Sequence, residues 1–340
     1  MLPRFKAAAV HASPVFLDAA ATAEKAVSLI REAARAGAGL VAFPETFIPA
    51  FPVWAALSAP IDNHDLFARM CAESVRVDGP EVARIREAAR AAGIVVSLGI
   101  SERSPASLGC LWNSNLLIGA DGSLLNHHRK LVPTFYEKLV WAAGDGAGLR
   151  VVETTVGRIG QLICGENTNP LARYSLMAQG EQLHISSWPP VWPTRRPKGG
   201  GNYDIVAANR IRTAAHCFEA KVFGLATAGL LDKAAFDLLA AHDPAAAEVL
   251  EGTPRPASFF LDPTGAQIGE ALLDEGILYA EIDLNACVEP KQFHDVVGYY
   301  NRFDVFDLAV NRRRLEPAQF RDGPAPARPT DPTPSEADGA

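Results

Sequence analysis

Cysteine is scarce and never closely paired: Cys71, Cys110, Cys164, Cys217 and Cys287 are an odd, widely spaced set of five with no CxxC among them. That argues against a disulfide framework and against a zinc knuckle, and it leaves reduced thiols in a cytoplasmic setting as the expectation. Long apolar runs are missing as well. No stretch of 18 or more uncharged apolar residues occurs, and the opening MLPRFKAAAVHASP has no long apolar segment leading to a cleavage site, so neither a membrane span nor a secretory signal is expected. Basic residues are outnumbered: 32 Lys and Arg against 39 Asp and Glu give a net charge of -7 and a pI near 5.7. No global basic field exists to hold phosphate backbones or anionic lipid, so nucleic acid and membrane surfaces are not expected partners.

What the chain does have is 48% hydrophobic and 21% charged residues over 340 positions, the balance of a globular protein that buries a full core. Residues 4–10 read as a short buried strand, and Asp18 to Ala36 as a helix with Val27, Ile30, Ala33 and Ala34 on one face. GLVAFPE (39–45) is a strand broken by Pro44, and a helix over 80–92 followed by the strand IVVSLGIS repeats the unit. NSNLLIGADGSLLNHHRK then carries Asp121-Gly122 between two alternating runs, the mark of a hairpin. The second half follows a related order: strand 157–164, helix 170–179, strand QLHISSW, helix 203–220, strand KVFGLAT, and a hairpin in FFLDPTGAQIGEALL. Two βαβ halves, each followed by antiparallel strands, predict an α/β protein of two mixed sheets packed face to face with helices outside, an αββα sandwich. One domain is expected over 1–321, with a helical insertion at 230–257, and 322–340 (DGPAPARPTDPTPSEADGA) reads as a disordered tail.

Three residues able to carry chemistry fall where strands give way to loops, which is where α/β folds place catalytic groups. Cys164, in QLICGENTNP, follows an apolar strand and precedes a small polar turn with Pro170 opening a helix, the setting of a nucleophile elbow. Nearby backbone N–H groups and the helix terminus are expected to favour its thiolate. Glu45, in FPETFIPAFP, could serve such a thiol as general base, its pKa raised by partial burial. Lys130, after Arg129, could steady a developing negative charge. Taken singly, each has an ordinary reading, as a buried structural cysteine, an exposed loop glutamate and a surface lysine. His127-His128 do not suggest a metal site, because adjacent strand residues point to opposite faces. The other histidines (His11, His64, His184, His216, His242, His294) lie scattered without ligand spacing.

Taken together, the three segments resemble the nitrilase superfamily of carbon-nitrogen hydrolases, in the branch that acts on nitriles, over residues 4–315. In that family a Glu-Lys-Cys triad is carried by an FPE, an RK-x-x-P-T and a C-x-E segment, matched here by Glu45, Lys130 and Cys164 at spacings of 85 and 34. PTFYEKLVWAAGDG resembles the pattern in which a glutamate and a tryptophan follow the lysine loop, so Glu137 maps onto the family's supporting active-site glutamate, with Trp141 packed behind it. Glu166 and Asn167, then Pro170, Leu171 and Arg173, match the segment after the cysteine, and GILYAEIDL with Asp295, Gly298, Tyr300, Arg302, Asp304 and Val305 matches the C-terminal end. Two departures stand out. Most nitrilases carry Trp directly after the cysteine where this chain has Gly165, and Tyr299 and Phe303 replace a common His and Pro. The missing indole is expected to leave more room or more backbone freedom beside the nucleophile.

The resemblance implies nitrile hydrolysis to acid and ammonia through thioimidate and thioester intermediates on Cys164, with neither metal nor organic cofactor. Gly165, Glu166, Trp188, Phe51 and Trp54 are the expected pocket residues, with Trp192 beside them. It also implies a homo-oligomer, commonly a dimer extended into spirals. Two alternatives stay within the chemistry: an amidase or carbamoylase using the same triad, and a nitrile or cyanide hydratase releasing the amide. A third is a non-catalytic interaction protein, which would have no reason to keep all three triad residues.

Overall fold

A computed structural model describes residues 1–196, 201–318 and 320. The tail expected over 322–340 lies outside the described residues. In chain order, β1 (Arg4–His11), α1 (Ala19–Arg35), β2 (Ala38–Ala42), α2 (His64–Glu73), α3 (Pro80–Ala92), β3 (Val95–Arg103), β4 (Leu111–Ile118) and β5 (Leu124–Arg129) make the first half. The second half has β6 (Val152–Thr154), β7 (Gly157–Ile163), α4 (Pro170–Met177), β8 (Leu183–Trp188), α5 (Ile205–Ala220) and β9 (Phe223–Ala228). It continues with α6 (Lys233–His242), α7 (Pro244–Glu251), β10 (Ser258–Leu261), β11 (Gln267–Leu272), β12 (Gly276–Asp283) and α8 (Val288–Phe293).

The strands form two six-stranded sheets in the orders β12-β1-β2-β3-β4-β5 and β11-β10-β9-β8-β7-β6. Each has a parallel centre, β1-β2-β3 in one and β7-β8-β9 in the other, flanked by antiparallel strands. Side-chain alternation along β1 shows why the chain layers this way. Ala8 and Val10 join a buried cluster with Ala23, Val27 and Ile30 of α1 and Ile85 of α3, on the outer face. Ala7 and Ala9 join a second cluster with Ile159, Leu183, Ile185 and Leu225, between the sheets. Helices therefore cover the outer faces and the two sheets pack back to back, the αββα arrangement the strand pattern predicts. Asp18 caps α1 by accepting from Ala21 N at 2.9 Å, and Pro80 opens α3 at a position where no backbone donor is needed.

Four elements went unread in the sequence: α2, β6, the six-residue α8, and β12, whose GILYAEIDL was matched to a family pattern without being read as a strand. α2 shows only Leu66 and Met70 buried in ten residues, too little apolar periodicity to signal a helix, and β6 is three residues long. The helical segment expected at 230–257 is present as α6 and α7. Its Leu239, Ala246, Val249 and Leu250 pack into one cluster with Phe51, Trp54, Tyr136, Trp141 and Trp192, so the insertion covers an aromatic wall.

Candidate active site

Glu45 stands three residues past the end of β2, Lys130 one past β5 and Cys164 one past β7. The two sheets are tied at this point, since Glu45 N donates to Trp188 O at 3.3 Å. Lys130 Nζ donates to Glu45 Oε1 at 2.7 Å and to Glu137 Oε1 and Oε2 at 2.8 and 2.6 Å, and all three side chains are wholly buried. Asn113 Nδ2 adds a 2.7 Å bond to Glu45 Oε1. The Cys164 sulfur and one oxygen each of Glu45 and Glu137 lie within 4.8 Å of one another. The structure thus gathers Glu45, Cys164 and, from one loop, Lys130 and Glu137. The Lys130 ammonium occupies the point between the carboxylates that a metal cation would take.

Glu45 Oε2 is buried and has no hydrogen-bond partner, which leaves its lone pairs free to receive a proton. Burial raises the Glu45 carboxyl above its ordinary range, against the pull of Lys130, and raises Glu137 to about 7. Burial works against the Lys130 ammonium, but Cys164, Glu137 and Glu45 together outweigh it and keep the charge in place. The Cys164 thiol is pushed well up by burial and then by Glu45. This corrects the expectation of a resting thiolate. The residues after Cys164 form a short 3-10 turn over Cys164–Thr168, and α4 begins only at Pro170, so the α4 N-terminus is not adjacent to the nucleophile. A protonated thiol beside a carboxylate with an open lone pair is a nucleophile and base at rest.

Three of the five non-glycine residues with left-handed backbone among the described residues belong to these loops: Thr46 after Glu45, Phe135 before Tyr136 and Glu137, and Cys164 itself at φ 50°. Such backbone is uncommon outside glycine and concentrates where side chains must be aimed.

The expected pocket residues divide. Trp188 is fully buried and shares a cluster with Ile163 and Cys164. Phe51 sits edge-on to Tyr136, Trp141 and Trp192 at centroid distances of 6.4, 5.6 and 6.1 Å. Trp54 belongs to the same cluster but pairs with Phe67 on α2. Glu166 lines a groove beside Gly165, but its carboxylate is turned inward. His128 Nε2 lies 2.9 Å from its Oε2, Leu131 N donates to Oε1 at 2.6 Å and Ile163 N to Oε2 at 2.8 Å, so both oxygens are engaged inward as a brace. Gly165 does not have left-handed backbone, and an ideal Cβ there would stand 2.7 Å from Thr134 Oγ1. The space of the missing indole is thus bounded by Thr134, at the edge of a groove of about 270 Å³ lined by Val132, Pro133, Thr134, Phe135, Lys138 and Gly165.

Two residues escaped the sequence reading. Asn113 shares a face with Asn115 in the N-S-N alternation of β4, a signal of two polar groups turned inward. Tyr136, next to Glu137, stacks on Trp192 at 4.6 Å and 28°, and its hydroxyl is buried without a partner. His127 and His128 do face opposite ways, toward Glu102 and Glu166. His184 and His216 are not scattered in space, since Glu181 joins them.

Solved structures share this fold. A carbon-nitrogen hydrolase from Helicobacter pylori G27 superposes with a TM-score of 0.69 over 89% of this chain and 97% of that one, at 20% identity. An amidase from Nesterenkonia sp. superposes at 0.61 over 83% and 92%, at 17% identity. Residues 6–292 match the carbon-nitrogen hydrolase family, and the chain belongs to it. It is 38% identical to the bromoxynil-specific nitrilase of Klebsiella pneumoniae subsp. ozaenae over 91% of this chain and 86% of that protein. It is 37% identical to the aliphatic nitrilase of Rhodococcus rhodochrous (92% and 84%), and 36% identical to a cyanide hydratase of Gibberella zeae (93% and 89%).

Proposed function

We propose that this protein is a nitrilase, converting an organic nitrile and two waters to a carboxylic acid and ammonia. The observation that carries the reading is the buried quartet, in which one thiol, two carboxylates and one ammonium close on a single point. Similarity to nitrilases over nine-tenths of the chain supports the choice of nitrile as substrate.

In this reading Cys164 Sγ attacks the nitrile carbon, and Glu45, through the oxygen that has no partner, takes the thiol proton and passes it to the nitrile nitrogen, giving a thioimidate. Burial raises the proton affinity of both groups, so the carboxylate is a stronger base than an exposed one would be. Glu45 then deprotonates a water that adds to the same carbon, and Lys130 steadies the tetrahedral intermediate. Expulsion of ammonia leaves a thioester, which a second water cleaves to the acid and free thiol. Glu137 holds Lys130 by two hydrogen bonds and keeps the ammonium aimed at Glu45. Phe51, Trp188 and Tyr136 are the proposed pocket wall, with Gly165 at its rim and Trp54 behind it.

The catalytic unit is taken to span 1–321. A homo-oligomer fits the exposed Tyr299, Tyr300, Phe303 and Phe306, a run of aromatic side chains facing outward. Five free cysteines fit a reducing, cytoplasmic setting. No helix among the described residues is long and apolar enough to cross a membrane.

The deciding experiment compares wild type with Cys164→Ala on aliphatic, aromatic and arylacetonitriles and their matching amides, measuring acid, amide and ammonia. Acid and ammonia from nitriles, lost in the variant, support the proposal. Turnover of amides alone would move the protein to the amidase branch, and amide as the main product to hydratase chemistry. Light scattering on the purified protein tests the oligomer.

A further inference from the structure

A second group of buried ionisable side chains lies behind the nucleophile, on the face of β8 that meets α5. Glu181 Oε1 lies 2.8 Å from His184 Nδ1, and its Oε2 lies 2.6 Å from His216 Nε2, with all three side chains fully buried. The two rings stack in parallel, centroids 3.6 Å apart at 16°. On its other side His184 Nε2 reaches Asn167 Oδ1 at 2.8 Å, and Ser186 Oγ donates to the same oxygen at 3.3 Å. Asn167 Nδ2 in turn donates to Cys164 O at 3.0 Å and to Leu162 O at 3.3 Å.

Donor and acceptor accounting fixes the protons in this chain. Carbonyl oxygens only accept, so the two backbone contacts place the NH2 of Asn167 toward Cys164 and its Oδ1 toward His184. Both ring nitrogens of His184 then face oxygen acceptors, a carboxylate on one side and an amide oxygen on the other. With Glu181 ionised, each nitrogen donates a hydrogen, and His184 is an imidazolium paired with the Glu181 carboxylate. The neighbours agree. Against the upward pull of burial, His216 and His184 hold Glu181 at about 2, while burial and then His184 hold His216 at about 4. A neutral His216 donating from Nε2 leaves Nδ1 bare, and Nδ1 is a buried atom without a partner. The other charged group acting on His216 is Arg173, itself paired with Glu219. The backbone is cut to fit: an ideal Cβ on Gly160 would stand 2.1 Å from Glu181 Oε1.

We propose that Glu181, His184 and Asn167 are positioning residues that lock the peptide of the nucleophile through a charge-assisted hydrogen-bond chain. Cys164 holds a left-handed backbone that costs energy unless its surroundings enforce it. Asn167 grips its carbonyl, while Glu166 grips the N–H of Ile163 just before it. An amide gripped by an imidazolium is held more firmly than one gripped by a neutral ring, because hydrogen bonds from a charged donor are shorter and stronger. The same three ionisable side chains could chelate a metal, and the accounting argues otherwise, since the nitrogens that would bind it are protonated toward the carboxylate.

The proposal rests on Cys164 as the nucleophile, and the test separates the two. Nitrogen-15 NMR of the wild type, labelled at histidine, should show hydrogens on both ring nitrogens of His184 at pH 7.5; one bare nitrogen overturns the chain whatever the enzyme turns over. His184→Gln and Glu181→Gln should lower kcat by about 10- to 100-fold, the loss usual for outer partners of a reacting group, with KM changed less than about twofold. Alkylation of Cys164 by iodoacetamide should slow by a similar factor in both variants. Unchanged kcat and alkylation in a folded variant, or a stoichiometric metal in the purified protein that His216→Gln releases, would overturn the proposal. Activity surviving Cys164→Ala sinks instead the nucleophile assignment, and leaves the NMR result standing.

Discussion

Gly165 and Thr134 are sized to one another: a Cβ on the residue after the nucleophile would stand 2.7 Å from the threonine hydroxyl. Thr134 also donates its backbone N–H to Glu137 Oε2 at 3.1 Å, so the contact runs on to the carboxylate that holds Lys130. A side chain at 165 must displace the Thr134 hydroxyl, and a large one presses on the turn that holds Glu137. Gly165→Trp alone is expected to lower kcat by about tenfold or more, and Gly165→Trp with Thr134→Gly to recover much of that loss, because residues in contact couple. A double-mutant cycle on kcat checks this, and strictly additive losses would refute the coupling. The acid-to-amide product ratio of the same four proteins reads whether the opening beside the sulfur controls the second chemical step.

Cys164→Ala and Glu45→Gln test the proposed nucleophile and base. Each should cut kcat by about three powers of ten or more, with circular dichroism and melting behaviour close to wild type. Glu45→Gln keeps a side-chain oxygen for Lys130 and Asn113 while losing the capacity to take a proton, so a mild effect would transfer the base role to Glu137. Glu166 is a poor substitute, since its two oxygens are already engaged by His128, Leu131 and Ile163.

Glu45, Lys130 and Cys164 were legible because each follows a strand and sits in a short segment with a recognisable pattern. Strand alternation was legible for the same reason, as with Ala7 and Ala9 against Ala8 and Val10. Long-range partnership was not. Glu181 and His184 lie three residues apart, but His216 is on α5, and only the packing of α5 on β8 brings it to them. Glu166 shows a different limit, since it lines the groove beside Gly165 with its carboxylate committed elsewhere. Its position beside the nucleophile suggested contact with substrate, yet backbone N–H groups at 131 and 163 claim its carboxylate, a competition that no local pattern records. The thiolate expectation failed because burial outweighs the short turn that follows Cys164.

Lys130 is the single cation between two buried carboxylates, so removing it leaves them facing each other. Lys130→Met is expected to abolish turnover and to destabilise the fold by roughly 3–5 kcal/mol at pH 8, the usual cost of breaking a buried pair from one side. The sign with pH follows from Glu137. Its folded-state pKa is raised to about 7 from 4.5, so its contribution to stability is fully present below 4.5 and is lost as pH rises through 7. Without the ammonium both carboxyls hold their protons to higher pH, so the loss at pH 8 should be larger and should disappear only where both are protonated. Urea unfolding should therefore show the variant's deficit shrinking from pH 8 to pH 5, and a deficit independent of pH would mean the lysine acts by packing alone.

Glu102 anchors the end of β5 from outside the site. It accepts from Arg129 Nε at 2.9 Å and from Ser114 Oγ at 2.6 Å, and meets His127 Nε2 at 2.7 Å, with its side chain 4% exposed. Against the upward pull of burial, His127 and Arg129 hold it at about 2 instead of 4.5. A depressed carboxylate contributes stability that is present above the unfolded pKa and is lost as pH falls through the folded one. The interval of about 2.5 units corresponds to roughly 3 kcal/mol. Glu102→Gln is thus expected to be less stable than wild type by about that amount at pH 7, with the gap closing between pH 4.5 and 2. Because Arg129 directly precedes Lys130, the variant should also lose part of its kcat at pH 7 even where it remains folded. Urea titrations of both proteins across this range decide the matter: a gap that stays constant down to pH 2 would show that Glu102 contributes through shape and hydrogen bonding, with its charge irrelevant.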